Sequence, residues 1–318
     1  MNLSAKSTVS FDLLCNGELD FISQVALVSL HLTSAILSIF GNTIVLLSVY
    51  RTRSLQTVSN YFICSLAVAD LSVGLIINPL WITKTILNAW HNENILSTVI
   101  EFMTLQTIIA TTFNLAAVSI EGYIFITKVY QYNDIVTTNR CFFGSIFIWT
   151  FSFLYGSVRI VVRGAFEVPK LYLSTVIVGI MTPLIVIVYC QLRIFLVARS
   201  QMKSIRTLNA KIYRGNQVRE ALKNRKAATT IAIIVGLFVI LWFPSIPVAG
   251  IQFATNNVCF KLKLSRVWYW IAFVNFSNSA FNPWVYPIRC NVFRDAFKKT
   301  LHRVCFSLFN HTNKQEKN

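Results

Sequence analysis

Residues 60–82 read NYFICSLAVADLSVGLIINPLWI, an uninterrupted apolar stretch in which Asp70 is the one charged side chain. About 20 such residues in helical form cross the hydrocarbon of a bilayer. The stretch therefore reads as a transmembrane helix. Its carboxylate is costly at that depth unless it finds hydrogen-bond partners or a cation.

Six further stretches have the same character: 22–50, 96–126, 141–162, 171–196, 227–253 and 267–288. The whole chain fits them. Of its 318 residues 55% are hydrophobic and only 13% charged, with a mean hydropathy of +0.58. A soluble domain of this length needs more polar residues to cover its surface. The predicted fold class is an all-α membrane protein, a seven-transmembrane helix bundle at 22–288. An extracellular segment at 1–21 precedes it, and an amphipathic helix and cytoplasmic tail at 289–318 follow. The third and seventh stretches carry most Thr, Ser and Asn, which places those faces toward the bundle interior.

The net charge of +17 raises the question of nucleic acid. Its distribution argues against that partner, because the basic residues lie in the loops and tail. With the N-terminus outside, 21 of the 29 Lys and Arg fall on the inner side, ten of them between Arg193 and Lys226. That asymmetry sets the orientation. It makes Asn2-Leu3-Ser4 a glycosylation sequon on the outer side. The first twenty residues contain Asp12, Glu18 and Asp20 and no compact apolar run, so no cleavable signal is expected. After the last crossing, Phe293, Phe297, Leu301 and Val304 recur at helical spacing opposite Arg294, Lys298, Lys299 and Arg303. This predicts a short helix over 291–304 on the inner membrane surface, in contact with lipid. Cys305 follows it as a palmitoylation candidate, with an unmodified thiol as the alternative. Cys64, Cys141 and Cys190 fall in or beside apolar runs and read as inert buried thiols.

Seven crossings also suit a transporter, a channel or a light-driven pump. Residues inside the crossings separate these. In order they are Gly41-Asn42, Leu66-Ala67-Val68-Ala69-Asp70, Trp149, Pro183 with Leu192-Arg193-Ile194-Phe195, Leu241-Trp242-Phe243-Pro244, and Asn282-Pro283-Trp284-Val285-Tyr286. Each alone is weak, but the ordered set resembles the rhodopsin-like G-protein-coupled receptors over nearly the whole chain. The subfamily stays open. The residues 192–199 are similar to adenosine receptors, Lys226-Ala227-Ala228 to trace-amine receptors, and the short second outer loop to melanocortin receptors.

The resemblance implies a sodium site at Asp70, Thr111, Trp242, Asn278, Ser279 and Asn282; a protonated Asp70 bonded to its neighbours is the alternative. It implies hinge elements at Pro244 beside Trp242 and at Pro283 beside Asn282, with Tyr286 completing the inner motif. It implies no retinal, since Phe276 stands where opsins carry lysine. Amine receptors carry an aspartate where Thr104 stands. The candidates lining an outer pocket are Glu101, Thr104, Gln106, Thr107, Trp242, Trp268, Asn275 and Phe276. Glu101 is read there either as the partner of a cationic ligand group or as a solvated charge at a helix end.

Departures from the family pattern cluster on the cytoplasmic side. The acid, arginine and aromatic triplet of the third helix is Glu121-Gly122-Tyr123 here. Gln191 stands where the family usually has tyrosine, and Asn224 where some relatives place an acid. On the outer side, Ser97 replaces the usual cysteine of the third helix, and the second outer loop has none. Melanocortin-like receptors suggest a substitute tether, here Cys15–Cys259; two free thiols are the alternative.

These features predict a multi-pass plasma-membrane receptor for an unidentified extracellular ligand, signalling to a heterotrimeric G protein by helix rearrangement. Gly122 motivates the alternative, a non-signalling seven-helix decoy, scavenger or receptor partner. An enzyme is not expected, because no metal cluster or nucleophile–base set is visible in the sequence.

Overall fold

The computed structural model describes residues 17–88, 95–162, 167–207, 233, 235–289 and 291–315. Among these the elements are helices and turns, without a strand. The long ones are α1 (Phe21–Arg51), α2 (Asn60–Ile86), α3 (Ile95–Thr127), α4 (Thr138–Val161), α5 (Lys170–Val197) and α6 (Val235–Ala254). After them come α7 (Val258–Arg289) and α8 (Asn291–Gln315).

By length and composition α1 to α6 can each cross a membrane. α7 carries buried Asn275, Ser277, Asn278, Ser279 and Asn282, which dilute its apolar character. Those polar side chains face the interior of the bundle and not lipid. On α4, by contrast, Phe142, Phe143 and Phe147 are exposed. An apolar face of that kind suits lipid and not water.

Four boundaries differ from the sequence expectation. α2 runs on to Ile86 rather than ending at 82. α7 begins at Val258, nine residues before 267, so Lys261, Lys263 and Arg266 lie in its first turns. α5 stays helical to Thr207. Apolar runs measure the part of a helix that lipid surrounds, whereas a helix that projects into water keeps its backbone hydrogen bonds with polar side chains. α8 also outruns its predicted end at 304. At the other end of the chain, Asp20 caps α1, accepting from Ser23 N (3.1 Å) and Ser23 Oγ (2.7 Å). Those bonds hold its carboxyl below the usual range.

Prolines shape the bundle. A π-helical turn, Val73–Ile77, precedes Pro79 in α2, and another, Thr175–Met181, precedes Pro183 in α5. Proline donates no hydrogen bond and crowds the carbonyl four residues back, which favours the wider turn. α6 breaks its helical pattern at Phe243 and Pro244 and resumes at Ser245. Pro283 and Pro287 stay inside α7. Small residues set the closest approaches: a Cβ on Gly41 would lie 2.5 Å from Pro283 Cγ, and one on Gly156 3.0 Å from the Phe102 carbonyl.

Two large apolar clusters fill most of the interior, and a small third one joins Ile126 and Ile194. The outer one joins Leu27, Val73, Ile77, Trp81, Ile100, Tyr269 and Phe276. The inner one joins Val45, Leu66, Leu115, Phe238, Trp242 and Tyr286 with Phe293 and Phe297 of α8. Phe293 stacks on Tyr286 at 5.6 Å and Phe297 meets Trp284 at 5.8 Å. The apolar face of α8 is thus covered by the bundle's inner end.

Candidate functional site

A cavity of ≈ 380 Å³ lies between the outer halves of the helices. α3 contributes Ser97, Glu101, Thr104 and Ile108, whose spacing of four, three and four puts them on one helical face. Trp242 and Ser245 come from α6, and Trp268, Asn275 and Phe276 from α7. Trp268 Nε1 donates to Gln252 Oε1 at 2.5 Å, which fixes the indole at the cavity wall.

The upper wall is charged. Arg159 of α4 forms an ion pair with Glu101, and its Nη1 donates to the Val162 carbonyl at 2.8 Å. The Tyr172 side chain is also hydrogen-bonded to Glu101. Lys84 of α2 feels the Glu101 carboxylate and holds its Nζ 5.2 Å from the Trp81 ring centroid. The Glu101 carboxylate is not the solvated helix-end charge of the sequence alternative: it lines the cavity and pairs with Arg159. Lys84, Arg159 and Tyr172 were not among the sequence candidates. Lys84 and Arg159 sat among the outer-side basic residues, where a charge reads as topology; only the fold turns them inward.

Of the eight pocket candidates, Glu101, Thr104, Trp242, Trp268, Asn275 and Phe276 line this cavity, and Gln106 and Thr107 do not. Gln106 lies about 200° around α3 from Thr104. It bonds Ser152 of α4 at 3.3 Å and borders a separate groove with Trp149 and Phe153. Thr107 borders that groove too and reaches a small cavity deeper in the bundle.

That deeper cavity is lined by Thr111, Trp242, Asn275, Phe276, Asn278 and Ser279, among others. It leaves ≈ 10 Å³ for a water-sized sphere, about what one water or small ion needs. Trp242, Asn275 and Phe276 also line the outer cavity, so one set of side chains separates the two. Below it Asn282 Nδ2 donates to Asp70 Oδ2 at 2.8 Å, and Asn42 ties Ser38 to the Ser279 carbonyl. Asp70 Oδ1, Thr111 Oγ1, Asn278 Oδ1 and Asn282 Oδ1 are buried without a hydrogen-bond partner. Four orphaned oxygens fit a hard monovalent cation. Trp242 does not fit as a ligand, because its indole N–H only donates; it closes the cavity instead.

At the inner end, Tyr132 donates to Glu121 Oε1 at 2.6 Å, and its ring packs on Phe125 at 5.3 Å. Tyr132 belongs to a short helical turn, Tyr132–Ile135, beyond α3. The carboxylate that would face an arginine thus accepts from a phenol. Gly122 is buried, Tyr123 packs on Tyr189 at 6.1 Å, and Gln191 Nε2 is buried without a partner. Cys259 is disulfide-bonded. Cys15, Asn2 and Asn224 lie outside the described residues, as does the side chain of Cys305. Cys64, Cys141 and Cys190 are free thiols; Cys141 and Cys190 are buried, and Cys64 is half-buried.

Residues 41–286 match the 7 transmembrane receptor (rhodopsin family) model. Adenosine receptor A2a of Canis lupus familiaris is 30% identical over 305 residues, covering 86% of this chain and 71% of the relative. Histamine H2 receptor of Rattus norvegicus is 27% identical over 301 residues, covering 89% and 82%. Trace amine-associated receptor 365 of Petromyzon marinus is 26% identical over 302 residues, covering 89% and 81%.

Proposed function

Because the chain belongs to the rhodopsin family of seven-transmembrane receptors, we propose that it binds an extracellular small molecule in the outer cavity and signals to a heterotrimeric G protein from the plasma membrane. The observation that carries this reading is the shared wall. Trp242, Asn275 and Phe276 border both cavities, and Trp242 sits two residues before Pro244, where α6 breaks. A ligand that shifts Trp242 changes the space above the Asp70 region and the bend of α6 together. Binding then biases two packings by its differential affinity for them. A fluorophore at the inner end of α6, read during a small-molecule screen alongside nucleotide exchange, tests this. Compounds that move the label and compete for the outer cavity support it; binding with no α6 response to any compound rejects it.

The same reading places a sodium ion against Asp70, with the oxygens of Thr111, Asn278, Ser279 and Asn282 around it. The ion would supply the positive charge that the buried carboxylate lacks and would hold the resting packing. Thermal stability in detergent is expected to rise in sodium relative to equal choline, and Asp70→Asn is expected to abolish the difference. A sodium response that survives the substitution removes the site.

The names of the relatives include an adenosine, a histamine and a trace-amine receptor. Thr104 stands where amine receptors carry their aspartate, so this chain lacks that anchor for a cationic amine.

A further inference from the structure

We propose that the groove between α2, α3 and α4 binds a rigid, fused-ring lipid of the steroid type, with a keto or hydroxyl oxygen carried within its ring system. The groove has a volume of ≈ 550 Å³ and shares no lining residue with the outer cavity. Its walls include Ile76 of α2, Phe102 and Gln106 of α3, and Trp149 and Phe153 of α4. Ile76, Phe153 and Leu154 are exposed there. On helices that cross a membrane, such an apolar face meets lipid and not water. The depth agrees. Gln106 meets Ser152 of α4, which lies nine residues before the outer end of that helix at Val161, about 14 Å at the helical rise. That position is inside a hydrocarbon layer about 30 Å thick, so the occupant of the groove comes from the membrane.

One side chain on the wall is poorly matched to hydrocarbon. Gln106 donates to Ser152 Oγ at 3.3 Å and accepts from Thr107 Oγ1 at 3.3 Å, both longer than such bonds usually are. Ser152 gives its own proton to the Trp149 carbonyl at 2.8 Å and has none to return. The Gln106 amide keeps donor and acceptor capacity beyond these two bonds. An amide so weakly satisfied is costly beside hydrocarbon, and an oxygen carried by the occupant meets it. Thr150 adds an exposed hydroxyl on the α4 side. The headgroup and ester oxygens of a phospholipid stay at the interface, as does the hydroxyl of an anchored sterol, so the oxygen has to sit in the body of the molecule. The walls favour a flat body. Trp149 Nε1 donates to Ser65 Oγ at 3.1 Å, which fixes the indole, and the Phe102 and Phe153 rings meet edge to face at 5.5 Å. Fused rings also lose less conformational freedom on binding than an acyl chain does, and the volume suits a molecule of that size.

The experiment uses the purified full-length receptor in phosphatidylcholine nanodiscs, with the probes compared at equal mole fraction in the bilayer. Androstane, androstan-11-one and androstan-11-ol share their rings and differ only in the oxygen. Cholesterol keeps its hydroxyl at the interface, and a long-chain dialkyl ketone carries its oxygen on a flexible body. Thermal stabilisation gives the half-saturating mole fraction of each. The two oxygenated androstanes are expected to bind roughly three- to tenfold more tightly than androstane, the equivalent of one hydrogen bond inside a membrane protein. They are also expected to bind more tightly than cholesterol and the dialkyl ketone. Gln106→Leu is expected to remove the advantage of the oxygen. Ile76→Trp, which fills the groove from its exposed side, is expected to remove steroid binding. Androstane, cholesterol or the dialkyl ketone matching the oxygenated androstanes overturns the proposal, as does an oxygen preference that survives Gln106→Leu. Should Gln106→Leu fail to fold, Ile76→Trp decides, because steroid binding that persists in it lies elsewhere and overturns the proposal. A set in which no probe binds leaves the groove to bulk lipid and overturns it as well.

Discussion

Gly122→Arg is expected to raise agonist-driven nucleotide exchange by roughly 10- to 100-fold, the equivalent of one charge-assisted hydrogen bond to the G protein. In the family this position carries an arginine that pairs with the preceding acid at rest and reaches the G protein when active. Two consequences of its absence compete. Losing the resting pair favours the active packing, and losing the contact weakens coupling. Here Glu121 already accepts a 2.6 Å hydrogen bond from Tyr132. An arginine introduced at 122 would meet a carboxylate whose Oε1 is engaged, so it restores the resting pair only in part. The gain in the G-protein contact then dominates. Replacing glycine also favours the helix, by about 1 kcal/mol relative to alanine as a guide. Exchange assays in membranes with several G-protein subtypes measure the effect. Strong coupling by the wild type with no gain in the variant would mean that another cytoplasmic contact does this work. Silence of both proteins toward every G protein would favour the non-signalling reading.

The course of the chain was legible because each crossing carries its own signal in apolar length, and the ordered motifs fixed the family. The helix ends were less legible. Lys261, Lys263 and Arg266 sit in the first turns of α7, where water and not lipid surrounds them, and apolar runs do not report on such turns. The outer cavity was legible where one helix decides it, as for Glu101 and Thr104. Even on α3, Gln106 and Thr107 lie off that cavity, because helical rotation separates neighbouring polar residues. Contacts between helices were the least legible. Nothing in local sequence brings Arg159 to Glu101 across 58 positions, or Lys84 to the same carboxylate. Tyr132 was missed for the same reason: its partner Glu121 lies on another element, and a lone tyrosine in a polar loop carries no pattern.

Glu101→Gln is expected to destabilise the folded receptor by about 3–5 kcal/mol, the usual consequence of removing one member of a buried ion pair. The substitution keeps the shape of the side chain and removes only its charge. Arg159 would remain on the cavity wall with only the neutral Val162 carbonyl and amide groups around it. An exposed pair would behave differently, since surface ion pairs contribute about 0–1 kcal/mol. Thermal and denaturant unfolding in a fixed detergent separate these cases. A loss below about 1 kcal/mol would show that water reaches and screens the pair. Arg159→Met in the Glu101→Gln background should recover much of the loss, because it removes the stranded charge and keeps an apolar stem against the wall.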